Sequence, residues 1–273
     1  MANVQSHSVG NLLREWRTRR RMSQLDLAVE AEISTRHLSF LETGRSSPSR
    51  EMVLHLAEQL EIPLRERNAL LISAGYAPVF KERPLGDPAL QAARKTIDLV
   101  LAGHEPYPAL AIDRHWTLVA SNKAVPPLLA GVDRLLLEPP VNVLRLSLHP
   151  KGIAPRIANL PEWRAHLLAR LRRQIEVSAD PILEKLFSEL SDYPALQESV
   201  SSKPVINHDD TDVAVPLQVM IEEGVLTFIS TTTVFGTPVE ITLSELAIES
   251  FFPADSFTLE TLNALYRKAP SFA

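Results

Sequence analysis

From Val9 to Ala74 apolar residues recur at helical spacing, but every run is cut short by a serine, glycine or proline placed where a helix starts or stops. Val9, Leu12, Leu13 and Trp16 mark a first helix, with Arg14, Arg17, Arg19, Arg20 and Arg21 around and after them. Ser23 stands as an N-cap with Asp26 three residues on, a variant of the capping box, ahead of Leu25, Leu27, Ala28 and Ala31. Ser34 caps a third helix that carries Leu38 and Leu41, Gly44 is a suitable left-handed C-cap, and Pro48 blocks continuation. A fourth helix, 50–60, turns Met52, Val53, Leu56, Ala57 and Leu60 inward, and a fifth runs from Pro63, as a first-turn proline, to Ala74. Five short helices over about 70 residues make one bundle.

The stretch GYAPVFKERPLGDP, 75–88, concentrates proline and glycine, which marks a linker and a domain boundary. Residues 89–103 read as a connecting helix. PALAIDRHWTLVASN then alternates like two short strands around a turn. The chain becomes helical over 124–200, where EWRAHLLARLRRQIEV is amphipathic and DPILEKLFSELSDYPAL opens on an N-cap aspartate and a proline. Strands return where Val215, Leu217, Val219 and Ile221 alternate with Pro216, Gln218 and Met220, in the β-branched run VLTFISTTTVFG, and in ITLSELAIESFF. This order predicts a mixed sheet whose curved face is covered by helices, an α+β arrangement. The expected chain is multidomain: an all-α domain over 1–80, a linker and connecting helix over 81–103, and an α+β domain over 104–273.

A length of 273 residues suits two domains. With 45% hydrophobic and 22% charged residues, and no run of the roughly 20 apolar residues a membrane span requires, the chain is expected to be soluble. Its first residues lack the order of a secretory signal, so a cytoplasmic location is expected, with no membrane partner. The absence of cysteine excludes disulfides, thiolate nucleophiles, zinc fingers and iron–sulfur clusters. Net charge is −5, but residues 1–50 hold eight arginines against five acids, whereas 81–273 hold 18 basic and 24 acidic residues. The basic end is the candidate for a polyanionic partner.

The segment SQLDLAVEAEISTRHLSFLETGRSSP, Ser23 to Pro48, resembles the helix-turn-helix of the XRE (Cro/repressor-like) family. Small Ala28 lets two helices cross closely, Ile33 plugs the turn, and Leu38 and Leu41 bury the inner side of helix three. Ser34, Thr35, Arg36, His37, Ser39 and Phe40 are left at the part of that helix which, by the resemblance, enters the DNA major groove. Thr35, Arg36, Ser39 and Phe40 are expected to read bases, while His37 suits a phosphate or packing role. Gln24 and Arg45 match positions where the family grips phosphates, and Arg17 and Glu42 match a partly buried ion pair between helices one and three. Glu32 stands where the family commonly has glycine, at a cost of roughly 1 kcal/mol if its φ is positive.

STRHLSFLETGRSSPSREMVLHLAEQLEIPLRERNALLISAGYAPVF, DRHWTLVASN, LHPKG and FGTPVEITLSELAIESFFPAD are similar to the MmyB-like branch of XRE regulators. That resemblance implies a PAS-like ligand-binding second domain and a fatty acid or similar carboxylate as its ligand. Double-stranded operator DNA, bound as a homodimer, and a small-molecule effector are the expected partners, with no other cofactor. The linker over 75–88 and the helix after it are where an effector's influence is expected to pass. Rival readings are a peptide-responsive regulator with a helical repeat array, which the repeat-free, strand-rich C-terminal half disfavours, an antitoxin, and a DNA-tethered enzyme.

No nucleophile elbow, zincin motif or phosphate loop is present, so catalysis is not expected. His208, Asp209, Asp210 and Asp212 read as a solvated loop rather than a cation site, and Arg164, Arg170, Arg172 and Arg173 as the wet face of their helix. For a ligand pocket the apolar candidates are Trp116, Leu118, Leu144, Leu146, Leu148, Leu183, Phe187, Val219, Phe228 and Phe252. Asn122, Arg145, His149 and Arg156 are the candidates to orient a polar head group.

Overall fold

Residues 8–194 and 215–268 are described by the structure, a computed structural model. His208, Asp209, Asp210 and Asp212 lie outside the described residues. Two units divide the chain: unit 1 is Met1–Arg83 with Glu176–Ala179 and Thr237–Ser244, and unit 2 is the rest.

Unit 1 is built on α1 (Val9–Arg19), α2 (Gln24–Glu30), α3 (Thr35–Glu42), α4 (Arg50–Gln59) and α5 (Leu64–Ser73). Serine hydroxyls at 8, 23, 34 and 49 each accept an N–H of the first turn of α1 to α4, so four helices start on the same side-chain device. Ser23 and Asp26 complete the reciprocal capping box. Pro63 occupies the N-cap position of α5 rather than its first turn. Leu13, Leu27, Leu38, Leu41, Val53, Leu56, Leu60 and Leu71 are fully buried together. Where α1 crosses α3, a Cβ on Gly10 would lie 2.3 Å from the Leu41 carbonyl oxygen, so only glycine fits. Glu32 adopts φ 51° in the turn between α2 and α3. Residues 81–83 are held within this unit by Thr237–Ser244: Glu240, 4% exposed, accepts the Arg83 N–H at 2.7 Å, and Ile241 donates to the Lys81 carbonyl at 2.9 Å.

Unit 2 opens with α6 (Gln91–Gly103), then β1 (Ala109–Ile112), β2 (Leu118–Ser121), α7 (Val125–Leu128), α8 (Val143–Leu148), α9 (Leu160–Ser178) and α10 (Pro181–Ser191). β3 (Leu217–Ile221), β4 (Gly224–Val234), α11 (Ile241–Ser244), β5 (Ala247–Pro253) and α12 (Ser256–Lys268) follow, with α11 counted in unit 1. The sheet has five strands in the order β2-β1-β5-β4-β3, and every pair is antiparallel, not mixed as expected from the sequence. A second correction concerns ITLSELAIESFF: its first four residues form the helical turn α11, and the strand starts only at Ala247. Buried Glu240 accepts the Leu243 N–H at 3.1 Å there, satisfying a first-turn amide that a strand would have paired with a neighbour. A helical repeat array is thereby excluded for this unit.

Side chains alternate across the strands, and one face of the sheet carries Leu110, Leu217, Val219, Phe228, Thr232, Glu249 and Phe251. Leu144, Trp163, Leu167, Leu171, Leu183 and Leu186, from α8, α9 and α10, share a core with the apolar residues of that face. Asn122 ties the start of this unit together: its Oδ1 accepts the Ala109 N–H, and its Nδ2 donates to the Leu101 and Tyr107 carbonyls.

Candidate functional site

The first candidate site is the outer face of α3. Leu38 and Leu41 are fully buried, so the opposite face of the helix carries exposed Thr35 and Arg36 and half-buried Ser39 and Phe40. Two cations lie against the Phe40 ring, the Arg36 guanidinium 5.3 Å and the Arg45 guanidinium 5.8 Å from its centroid. Phe40 therefore positions both arginines, and neither has an acidic partner among the described residues. Ser34 is engaged as a cap, its Oγ accepting the His37 N–H at 3.1 Å.

Behind this face, Arg17 donates to both oxygens of Glu42, at 2.6 and 2.9 Å, and to the Met22 carbonyl at 2.8 Å. The hydrogen bond to Glu42 holds the Arg17 pKa above its ordinary value. Gln24, expected to grip phosphate, instead donates its Nε2 to Glu42 at 2.8 Å and braces this pair. Arg20 is occupied too, capping the end of α4 through the Leu60 and Glu61 carbonyls. The basic N-terminal segment is thus partly structural, and Arg36 and Arg45 are cations left facing outward.

The second candidate site is a cavity of about 120 Å³ inside unit 2, bordered by β1, β2, α7, α8, α9 and the strands β3 to β5. Trp116, Leu118, Leu144, Leu146 and Phe228 line it, joined by Leu110, Trp163, Leu167, Leu217 and Phe251. Both indole N–H groups are satisfied, Trp116 by Gln174 Oε1 at 2.7 Å and Trp163 by Ser147 Oγ at 3.0 Å. Trp116 is held at φ 65°, a left-handed backbone rare for so bulky a residue, in a turn where the Asp113 carboxylate accepts the His115 and Thr117 N–H groups. Besides the indoles, the polar side chains that line the cavity are Ser147, Arg170 and Glu249.

Several expected pocket residues lie elsewhere. Phe252 is paired with Ile229 on the opposite face of the sheet, 42% exposed, because neighbouring strand residues alternate and Phe251 takes the inner position. Leu148, Leu183 and Val219 are core residues, and Phe187 packs against that core beneath the Arg172 guanidinium, but none lines the cavity. The four proposed head-group residues do not converge on it either. Asn122 is the brace described above, Arg145 is held bidentately by Glu189 at 2.7 Å, His149 packs edge-on to Tyr193, and Arg156 donates to the Leu128 carbonyl. Arg170 is likewise not on a wet face: Trp163, Leu167 and Arg170 share one stripe of α9 and meet the cavity together. Arg164 donates to the Leu190 and Ser191 carbonyls at the end of α10.

A capped helix-turn-helix with an outward basic face, followed by a sheet-and-helix domain that holds an apolar cavity, defines a DNA-binding transcription regulator with a ligand-binding domain. Residues 13–67 match the helix-turn-helix family, and residues 93–265, more than half of the chain, match the MmyB-like transcription regulator ligand binding domain. The chain belongs to this MmyB-like family. It is also similar to a solved structure, the clp gene regulator ClgR from Corynebacterium glutamicum, at 28% identity over 37% of this chain and 94% of that one, with a TM-score of 0.23. No curated protein matches. No helix among the described residues is long and apolar enough to cross a membrane.

Proposed function

We propose that this regulator binds a double-stranded operator as a homodimer through α3 and changes its affinity or geometry when a small apolar or amphiphilic molecule occupies the cavity of unit 2. The reading of the first part rests on the outward cations of α3 and the turn after it, Arg36 and Arg45, both against Phe40, with Arg36 placed to read a base edge and Arg45 to hold a phosphate. Dimerisation follows from the small number of base pairs one recognition helix contacts, since paired half-sites multiply the discrimination. Such a regulator works on the chromosome, in the cytoplasm.

The effector part rests on one observation, the apolar lining of the cavity. Burial is worth about 0.8 kcal/mol per methylene, so eight carbons contribute roughly 6 kcal/mol before ordering costs. To regulate, the molecule must bind one state of the chain better than the other, because equal affinity shifts nothing. Two measurements test the proposal. Titration of the full chain onto an operator selected from random DNA is expected to show a two-to-one complex that scrambled DNA does not form at the same concentration. Native mass spectrometry of freshly purified protein, followed by solvent extraction, is expected to show a bound small apolar mass, a fatty acid being the amphiphile the family resemblance suggests. Failure of added amphiphiles to change either melting temperature or operator affinity would remove the effector and leave the DNA-binding reading standing.

A further inference from the structure

The chain passes from unit 1 into unit 2 three times, at Pro84, Asp180 and Glu245. Two of these entry residues are carboxylates, and one turn, Asp113 to Thr117, holds both. His115 Nε2 lies 2.9 Å from Asp180 Oδ2, and Arg114 Nη1 lies 3.4 Å from the same oxygen and 3.6 Å from Glu245 Oε1. The other Asp180 oxygen accepts the Ile182 N–H at 2.9 Å and so starts α10. The next residue of the turn, Trp116, lines the cavity. Gln174 of α9 spans the same turn: its Oε1 accepts from the Trp116 indole and its Nε2 donates to the Arg114 carbonyl, both at 2.7 Å. Two residues further on begin Glu176–Ala179, which are counted in unit 1, and Ala179 packs against the core of that unit.

The turn has little freedom to absorb a displacement within itself. The Asp113 carboxylate accepts the His115 and Thr117 N–H groups, the Asp113 N–H donates to the Thr117 carbonyl at 3.0 Å, and the Asn142 amide donates to the His115 carbonyl at 2.8 Å. Trp116 is the one non-glycine residue of unit 2 with positive φ among the described residues, and the next such residue along the chain, Ala179 at φ 57°, adjoins Asp180. An L side chain disfavours that conformation, so each is held by its surroundings. A molecule that presses on the indole therefore moves the turn as a unit, and the two carboxylates with it. Residues 75–103, by contrast, contribute nothing to the cavity's lining.

We propose that the Asp113–Thr117 turn is the route by which occupancy of the cavity reaches unit 1. Trp116 meets the molecule, and Arg114 and His115 are positioning residues that pass its shift to Asp180 and Glu245, where the chain returns from the unit 1 segments 176–179 and 237–244. This rests on the cavity being the effector site and adds the path of its control. Removing Arg114 leaves the cavity wall and the outer face of α3 in place, so each affinity survives while their coupling is lost.

The test is the operator Kd of the full-length protein with and without saturating dodecanoate, in the parent, Arg114→Ala and Arg114→Lys, with the dodecanoate Kd of each from calorimetry. In the parent, dodecanoate is expected to change the operator Kd about fivefold or more. In Arg114→Ala that change is expected to fall below about twofold, while the dodecanoate Kd and the ligand-free operator Kd each stay within about threefold of the parent. Arg114→Lys, which keeps a cation on the turn, is expected to regain part of the coupling. A second measurement needs no change at the turn. Coupling is reciprocal, so in 5-fluorotryptophan-labelled protein followed by 19F NMR, saturation with operator is expected to shift the Trp116 resonance more than that of Trp163, which lines the same cavity from α9. If Arg114→Ala does not fold, this measurement decides alone. Full coupling in Arg114→Ala, or a Trp116 resonance that operator leaves unmoved, overturns the inference and leaves effector control standing. A parent that does not bind dodecanoate, or whose operator Kd ignores it when bound, overturns both.

Discussion

Two arginine–glutamate pairs with buried carboxylates, one in each unit, use the same forked geometry in opposite surroundings. Arg17 and Glu42 close at 2.6 and 2.9 Å with side chains 11% and 1% exposed, and the Gln24 amide donates to the same carboxylate. Arg170 and Glu249 close at 2.6 and 3.2 Å, 22% and 5% exposed, beside unfilled volume. The first pair ties α1 to α3 and is almost wholly shielded from solvent. The second stands where a small molecule can meet it. What separates a structural ion pair from a binding site is therefore the space next to it, because the pairs themselves are chemically alike.

The largest expected effect comes from breaking the enclosed pair. Glu42→Ala leaves Arg17 buried without its carboxylate and Gln24 without its acceptor, and is expected to cost about 3–5 kcal/mol of stability. Glu249→Ala is expected to cost less, about 1–3 kcal/mol, because Arg170 is more exposed and Thr232 remains as a partner. Urea unfolding of both variants measures the difference, and equal losses would erase the comparison.

Packing gives the next contrast. A Cβ on Gly10 would lie 2.3 Å from one carbonyl oxygen and 2.7 Å from another, both on the backbone of α3, so Gly10→Ala must push α1 and α3 apart, at about 1–3 kcal/mol. Gly103 in unit 2 has nothing within 4 Å of the same position, and Gly103→Ala is expected to stay within about 0.5 kcal/mol of the parent. Melting curves of the two variants should separate accordingly.

On the outer face of α3, proposed to meet DNA, the expected effects are on binding. Arg36→Ala is expected to weaken operator binding by about 1–3 kcal/mol and relax base preference, as loss of a base-edge contact does. Arg45→Ala is expected to weaken all sequences nearly alike and to lower the magnitude of the salt slope by roughly one unit. Binding to operator and scrambled DNA across a salt series reads both, and equal losses on the two DNAs for Arg36→Ala would remove it from base reading. The smallest effect is at Glu32. Its φ of 51° suits glycine, so Glu32→Gly is expected to gain up to about 1 kcal/mol in thermal unfolding, less glycine's added entropy in the unfolded chain.

Unit 1 could be read from residues because its signals are local: a serine three residues before the amide it caps, Gly44 at φ 70°, Leu38 and Leu41 three apart on one stripe. Unit 2 was readable only as far as its element order. The cavity is assembled from β1, α9 and β5, which lie far apart in sequence, and a one-residue shift of phase was enough to select Phe252 in place of Phe251. Two signals were present and unread. Glu249 is the lone acid of β5, at an inward position between Ala247 and Phe251, and Arg170 falls seven residues after Trp163 on the buried stripe of α9, so each called for the other as a partner. Gly10 gave no sign, since the α1–α3 crossing that demands it is a tertiary contact. Nor did the sequence distinguish Gln24 on a phosphate from Gln24 on Glu42, because both uses place the side chain at the start of α2.

A molecule in the unit 2 cavity is proposed to alter DNA binding by unit 1. Its most direct test is the operator Kd of the full chain, measured by fluorescence anisotropy with the cavity emptied by extraction and then saturated with a ligand whose binding calorimetry has established. A change of about fivefold or more, the lower end of ordinary allosteric coupling, is expected. An operator Kd that stays the same while the cavity is demonstrably full would contradict it.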